Sequence, residues 1–354
     1  MMRIRRWNQS FWTQLLWVTA AIGAWGTLVT ERLLEIRASP LRSLLLTLAT
    51  LAVASSASWA ARRLQRSPLR YLPWLLLAGL AARQWHRRML RGQYEASPAV
   101  RSVGLAESLW DPVTTTNVVV RYYALSSSRL AARRLRLVSL VDLHITRALP
   151  HAYYERIFEL IAAANADLIL LSGDYVSEPE NIELLAQLFA RDWPAKLGAF
   201  AVLGNHDLWT DPVRVREVLR ASGVTLVEGR CQHLPAAIGR IAICGTEMPW
   251  GPELSSALDR TELNLVLSHT PDNVYRLAGQ GASVVFSGHT HGGQIRLPGL
   301  GAIVIPSRFG GLFDNGHFRV DGTELFVSAG VGADMPPVRI YCPPELLVVD
   351  ITRP

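Results

Sequence analysis

An α/β domain preceded by membrane-spanning helices is the fold class that the sequence predicts. Three observations predict it. Two long uncharged apolar stretches lie near the N-terminus. Beyond residue 116, short apolar runs alternate with helical patterns. Five of those runs end in Asp, Asn or His at places where ordinary turn chemistry asks for no histidine.

The N-terminal stretches come first. Residues 11–30 carry no charge over twenty positions, enough to cross a hydrocarbon core of about 30 Å. Residues 43–61 form a second uncharged stretch of nineteen. Seven of the eleven Trp lie in the first 85 residues, several near the ends of these stretches, as an interfacial belt requires. Residues 71–82 are shorter and contain Pro73, so an interfacial or re-entrant segment is expected there. With two crossings, the inside carries eleven Arg and the outside loop carries Arg32, Arg37 and Arg42. This places the following domain in the cytoplasm, at a multi-pass inner membrane; a third crossing would divide the arginines evenly and reverse the orientation. The expected organisation is an anchor over 1–91, a linker over 92–116 rich in turn residues, and a catalytic domain over 117–354.

Charge follows the same division. The whole chain is +7, and residues 1–101 alone hold fifteen Arg against three Glu. The basic character therefore belongs to the membrane-proximal part, where it suits a phospholipid bilayer. The remainder is net acidic and has no basic run interleaved with aromatics, so no nucleic-acid partner is expected.

Beyond the linker, the apolar runs 135–141, 167–172, 199–203, 263–267 and 282–286 read as buried strands. Helical patterns are expected over 151–164, 181–190 and 213–221. Later strands are expected around Ile303, around Leu325 and over 346–351. The first run delivers Asp142 and His144, two apart and so on one face of an extended segment. The second ends in Gly173-Asp174, the third in Gly204-Asn205-His206-Asp207 and the fourth in Ser268-His269-Thr270-Pro271-Asp272. The fifth ends in Ser287-Gly288-His289-Thr290-His291-Gly292-Gly293-Gln294, where flanking glycines let the chain turn sharply.

Taken singly, each cluster reads as a turn, a cap or a hydrogen-bonded histidine. Together they converge, because α/β sheets gather the carboxyl ends of their strands along one edge. The pooled set of Asp142, His144, Asp174, Asn205, His269, His289 and His291 offers oxygen and imidazole donors and no thiolate. That chemistry suits Mn²⁺, Fe or Zn²⁺. Seven donors exceed one tetrahedral ion and fit two ions sharing a carboxylate.

The ordered motifs resemble the calcineurin-like metallophosphoesterase superfamily. The last of them, with Ser328-Ala329-Gly330-Val331-Gly332 and the segment from Pro337-Val338-Arg339 to Pro343-Pro344-Glu345, is similar to a bacterial membrane-associated branch. That branch includes phosphodiesterases and a UDP-2,3-diacylglucosamine pyrophosphatase of lipid A synthesis. The resemblance runs from about Arg136 to Ile351. It implies a four-layer α/β/β/α sandwich. It further implies that Asp142, His144 and His291 hold one metal, that Asn205, His269 and His289 hold the other, and that Asp174 bridges them. His206 is implied as acid or transition-state donor, with Asp207 orienting its ring. One departure is that Leu140-Val141 stands before Asp142, where the family has Ser or Thr just before the Asp.

The expected function is therefore a membrane-anchored metallophosphoesterase with two divalent ions, Mn²⁺ first. Paired ions activate a water for in-line attack at phosphorus, so no side-chain nucleophile is needed. The leading substrate is a lipid-linked phosphate or pyrophosphate such as UDP-2,3-diacylglucosamine. The alternatives are a phosphodiesterase of soluble nucleotides or general phosphodiesters, and a non-catalytic membrane scaffold. Exposed apolar residues in the loops 247–254 and 297–316 would favour acyl chains; a closed polar pocket there would favour nucleotides. The sequence has no Gly-x-Ser-x-Gly elbow, Walker loop or dinucleotide fingerprint. Cys231, Cys244 and Cys342 show no paired spacing and are expected as buried thiols in a reducing compartment.

Overall fold

The computed structural model of the chain describes residues 82, 86, 89–104, 112–298, 301–302, 304–334 and 336–354. The expected spans 11–30 and 43–61 lie outside the described residues, as does the segment 71–82 apart from its last position. Among the described residues no helix is long and apolar enough to cross a membrane. One compact unit runs from Gln84 to Pro354.

In chain order the unit begins with β1 (Arg101–Val103), β2 (Val119–Ser126) and β3 (Arg134–Leu140). Then follow α1 (His151–Ala163), β4 (Leu168–Leu171), α2 (Ile182–Phe189), β5 (Ala199–Ala201), α3 (Asn205–Thr210), α4 (Pro212–Ala221) and β6 (Thr225–Leu226). The second half holds β7 (Cys231–His233), β8 (Ile241–Thr246), β9 (Leu263–Ser268), α5 (Val274–Gln280) and β10 (Val284–Ser287). A short hairpin of β11 (Arg296–Leu297) and β12 (Gly301–Ala302) precedes β13 (Gly316–Val320), β14 (Thr323–Val327) and β15 (Glu345–Thr352). The expected strand at Ile303 falls on a position outside the described residues. Those at Leu325 and 346–351 are β14 and β15.

Two mixed sheets result, one in the order β1-β2-β15-β3-β4-β5-β6 and one in the order β13-β14-β10-β9-β8-β7. The period-2 alternation of strand side chains sorts the apolar residues into layers. Along β3, Leu135 and Leu137 enter a cluster with Leu265, Leu267 and Phe286 of the second sheet. Val138 and Leu140 of the same strand turn the other way, onto Ile157, Ile161 and Leu185 of α1 and α2. On the far side of the second sheet, Val266, Val285 and Leu325 pack with Val274 and Leu277 of α5. Helices, sheet, sheet and helix thus form four layers. Each fully buried Leu, Ile or Phe contributes about 1.5–3 kcal/mol, which explains why the central strands are apolar on both faces.

The parallel pairs β3–β4, β4–β5, β8–β9 and β9–β10 direct their C-terminal ends to a common edge. The stretch expected to be a linker is packed in its described part. Its β1 pairs antiparallel with β2 and Tyr94 stacks edge-on against Phe313 at 5.4 Å; Arg91, at the end of the expected anchor, donates to the Asn315 carbonyl at 2.7 Å.

The cysteine expectation is corrected. Cys231 on β7 and Cys244 on β8 are register partners and form a disulfide, while Cys342 is a buried free thiol. Directly opposite residues of an antiparallel pair bring their side chains together, and a sequence separation of 13 does not reveal that pairing.

Candidate metal centre

At the common edge the strand exits are sewn to one another. Asp142 N–H donates to the Gly173 carbonyl at 3.0 Å and His144 N–H to the Asp174 carbonyl at 3.0 Å, which fixes the exit of β3 against that of β4. Gly204 lies so close that a Cβ there would sit 2.1 Å from Asp174 Oδ1. Nothing larger than glycine fits between the β4 and β5 exits.

Backbone strain concentrates here. Asp142, His144, Asp174, His289 and His291 all adopt positive φ, between 37° and 66°. Non-glycine residues persist in that region only where the surroundings over-determine them, and they cluster at functional sites. All five are expected metal ligands.

The donors meet in two overlapping groups. Asp142, His144, Asp174 and His291 each offer an atom within 4.8 Å of the others, and so do Asp174, His269 and His289. Asp174 belongs to both. Asn205 joins the second group, its Oδ1 3.1 Å from His269 Nε2. All seven expected ligands are therefore brought together.

Ring nitrogens are assigned by their outer partners. His269 Nδ1 donates to the Ser172 carbonyl at 2.8 Å, which leaves Nε2 facing Asp174 Oδ2 at 3.1 Å. His144 Nδ1 lies 2.6 Å from Ser177 Oγ, and its Nε2 faces His291 Nε2 at 3.1 Å. Such outer partners orient metal-binding imidazoles. The Asp142 carboxylate also accepts from His289 N–H at 2.9 Å, and Asp174 Oδ1 accepts from His206 N–H at 2.9 Å.

The electrostatics test whether cations fit. Burial, with the charge of Asp174 adding to it, pushes Asp142 up to about 7. Burial drives His144 down to about 4 and His289 down to about 3, and it holds His291 well below its ordinary value. Burial alone would depress His269, yet the Asp174 carboxylate beside it holds it up to about 9. Burial would likewise raise Asp174, but His269 and His144 hold it well below the usual carboxylate range. Four imidazoles and two carboxylates in one dry cluster thus compete for protons. A divalent cation in each donor group would satisfy the carboxylates and the unprotonated nitrogens together, so the residues fit such ions.

His206 stands at the cleft, its side chain 22% exposed and its ring 4.8 Å from that of His144. The expected partner of its ring is corrected. The Asp207 carboxylate is fully buried and accepts from the backbone N–H groups of Asp174, Tyr175, Val176 and Gly204. The carboxylate that faces the His206 ring is Asp334, whose Oδ2 lies 3.9 Å from His206 Nε2. Adjacent helical residues point about 100° apart, which is why Asp207 cannot share the direction of His206.

Arg339, marked in the sequence only as part of a motif, and Trp250, marked only as part of a loop, support the site. Arg339 is fully buried and donates to the carbonyls of Gly332, Ala329, His291 and Cys342. Its Nη2 also lies 3.3 Å from His291 Nδ1. Trp250 packs on the opposite side, its ring 4.9 Å from that of His289. No spacing rule marks either residue, since both act through folded neighbours distant in sequence.

A two-sheet sandwich presenting Asp174 to two histidine-rich donor groups defines a metal-dependent hydrolase of phosphoester bonds. The family comparison agrees: residues 141–293 match the calcineurin-like phosphoesterase model. The chain is 27% identical over 222 residues to the uncharacterized metallophosphoesterase YkuE of Bacillus subtilis (strain 168), covering 60% of this chain and 77% of that protein. It is 26% identical over 226 residues to the phosphodiesterase YaeI of Escherichia coli (strain K12), covering 62% and 83%. It is 25% identical over 277 residues to the UDP-2,3-diacylglucosamine pyrophosphatase LpxG of Chlamydia trachomatis, covering 61% and 83%.

Proposed function

We propose that the protein is a membrane-anchored phosphohydrolase that holds two divalent cations, Mn²⁺ first, and cleaves a lipid-linked phosphate or pyrophosphate, with UDP-2,3-diacylglucosamine as the specific substrate. The carrying observation is the apolar lip beside the donors. Ile295, Leu297 and Val304 are 43%, 41% and 75% exposed. They lie in the segment that follows His291, and a Cβ on Gly293 would stand 3.1 Å from the Val304 carbonyl. Exposed apolar side chains on the segment next to the last donor suit acyl chains better than a nucleotide's sugar. The similarity to the pyrophosphatase LpxG supports the same reading. The phosphodiesterase reading has comparable support from YaeI.

The roles follow from the donors. Asp142, His144 and His291 would hold one cation, Asn205, His269 and His289 the other, and Asp174 both. When bound, divalent cations supply Lewis acidity toward phosphoryl oxygens and lower the pKa of a coordinated water. His206 donates a hydrogen bond or a proton to the oxygen on which charge develops, and Asp334 orients its ring. Asp207 acts one step back, by tying the β4 exit to the start of α3.

For location, the arginine count supports spans at 11–30 and 43–61 with the domain on the cytoplasmic face of an inner membrane. The Cys231–Cys244 disulfide is the observation that opposes this face, since such bonds persist in oxidising compartments. Recovery of that disulfide intact from alkylated cells would move the domain to the other face.

The functional test is release of UMP from UDP-2,3-diacylglucosamine by Mn²⁺-loaded, detergent-purified protein beside an Asp174→Ala control. Metal-dependent release, lost in the control, is expected. No release, with bis-p-nitrophenyl phosphate still cleaved, would overturn the substrate and leave the hydrolase.

A further inference from the structure

The rim of the cleft carries an aromatic corner that hydrolysis does not require. Trp209 lies on α3, the helix that also bears Asn205 and His206, and it is 66% exposed. A large ring two-thirds exposed beside His206 extends the apolar surface at the rim of the cleft. Its ring stands 5.5 Å from that of His206 and 6.4 Å from that of Trp250, the two indoles meeting at 89°. Trp250 in turn covers the second donor group, its ring 4.9 Å from His289 and 5.9 Å from His269.

One buried residue fixes both walls. Glu247 Oε1 accepts from Leu203 N–H at 2.7 Å, just ahead of the Gly204 turn into α3. The Glu247 carbonyl accepts from the N–H groups of Trp250 and Gly251 at 2.9 Å each. Arg216 Nη2 anchors the other carboxylate oxygen at 3.1 Å. The loop carrying Trp250 and the strand exit leading to Trp209 are therefore held by the same side chain. Such preorganisation is what a binding wall needs.

We propose that Trp209 and Trp250 form a subsite for the flat heteroaromatic base of a nucleotide carried by the substrate. Two indoles at right angles offer a face for stacking and an edge for a T-shaped contact, which a planar ring satisfies at once. An alkyl chain gains dispersion contact from either indole but no stacking or edge-to-face attraction, and the apolar residues Ile295, Leu297 and Val304 lie on a separate segment. The inference rests on the proposed reading in one respect, that the substrate joins a nucleotide to a lipid. It assigns the base to the indoles and leaves the acyl chains to the lip.

The test is calorimetric binding of uridine 5′-monophosphate and of ribose 5-phosphate to full-length, Mn²⁺-loaded protein. Both ligands present a phosphate to the metals, so the ratio of their Kd values isolates the base. Base stacking on an aromatic residue predicts a ratio on the order of tenfold or more. The ratio should fall close to one in Trp209→Ala and return in Trp209→Phe. A ratio near one in the unsubstituted protein, or one unmoved by both Trp209→Ala and Trp250→Leu, overturns the subsite. Failure to cleave UDP-2,3-diacylglucosamine while the ratio stays high would overturn the lipid reading alone.

Discussion

The two donor groups share Asp174 and differ in what backs them. Around Asp142, His144 and His291 the protein is closed: these residues are 0%, 2% and 7% exposed, and buried Arg339 clamps the loops behind them. Asn205 and His269 are just as buried, at 2% and 0%, but His289 is only half-buried, with Trp250 as its wall and Trp209 in solvent beyond. One group is built for retention, the other for contact with whatever enters. The difference teaches that the closed half sets stability and the open half sets substrate choice.

The comparison breaks most visibly at the histidines. His291→Ala should empty the closed group and reduce turnover at least about 10³-fold, because the paired ions act together. His289→Ala should leave the closed group loaded. Metal content per chain and kcat on bis-p-nitrophenyl phosphate distinguish the two; equal metal loss from both variants would abolish the asymmetry.

Arg339→Met comes next. It strips donors from four buried carbonyls, at a cost of about 3 kcal/mol or more. Urea denaturation of the metal-free protein should show the loss. Little change in the midpoint would mean that the clamp contributes nothing to the closed half.

A smaller effect is expected from Ser177→Ala, which frees the His144 Nδ1 that now meets Ser177 Oγ at 2.6 Å. Loss of such an outer partner costs roughly 10- to 100-fold in metal affinity. Titration with Mn²⁺ under a competing chelator measures it, and the weakening should fall on the closed group.

The smallest effect is on pH dependence in the open half. Burial, with the neighbouring Glu228 charge and hydrogen bond adding to it, pushes Glu247 up to about 8 from an ordinary 4.5. A carboxyl raised in the folded state stabilises fully below its unfolded pKa. That contribution is lost as pH rises toward and through about 8. Glu247→Gln should flatten the decline of stability between roughly pH 5 and 8, read as Tm against pH. A slope equal to that of the unsubstituted protein would remove Glu247 from the account.

Much of both donor groups was legible in the sequence. Buried strands end where apolar runs end, so Asp142, His144, Asp174, His289 and His291 could be placed from pattern alone. Helical spacing likewise marked α1, α2 and α4 to within a residue or two. Legibility failed where a residue acts across the fold. The chain neighbour of His206 is Asp207, but the carboxylate facing its ring is Asp334, brought in by a loop more than a hundred residues away. The roles of Arg339 and Trp250 escaped for the same reason. The disulfide escaped because β7, only Cys231-Gln232-His233, is too short and too polar to announce its register with β8.

Asp174 is where both halves meet, so the most direct measurement is metal content and turnover of Asp174→Asn against the unsubstituted protein. Two ions per chain are expected before the substitution and fewer than one after it, with turnover lost. An Asp174→Asn protein that keeps two ions, or hydrolyses phosphodiesters at the original rate, would contradict that expectation.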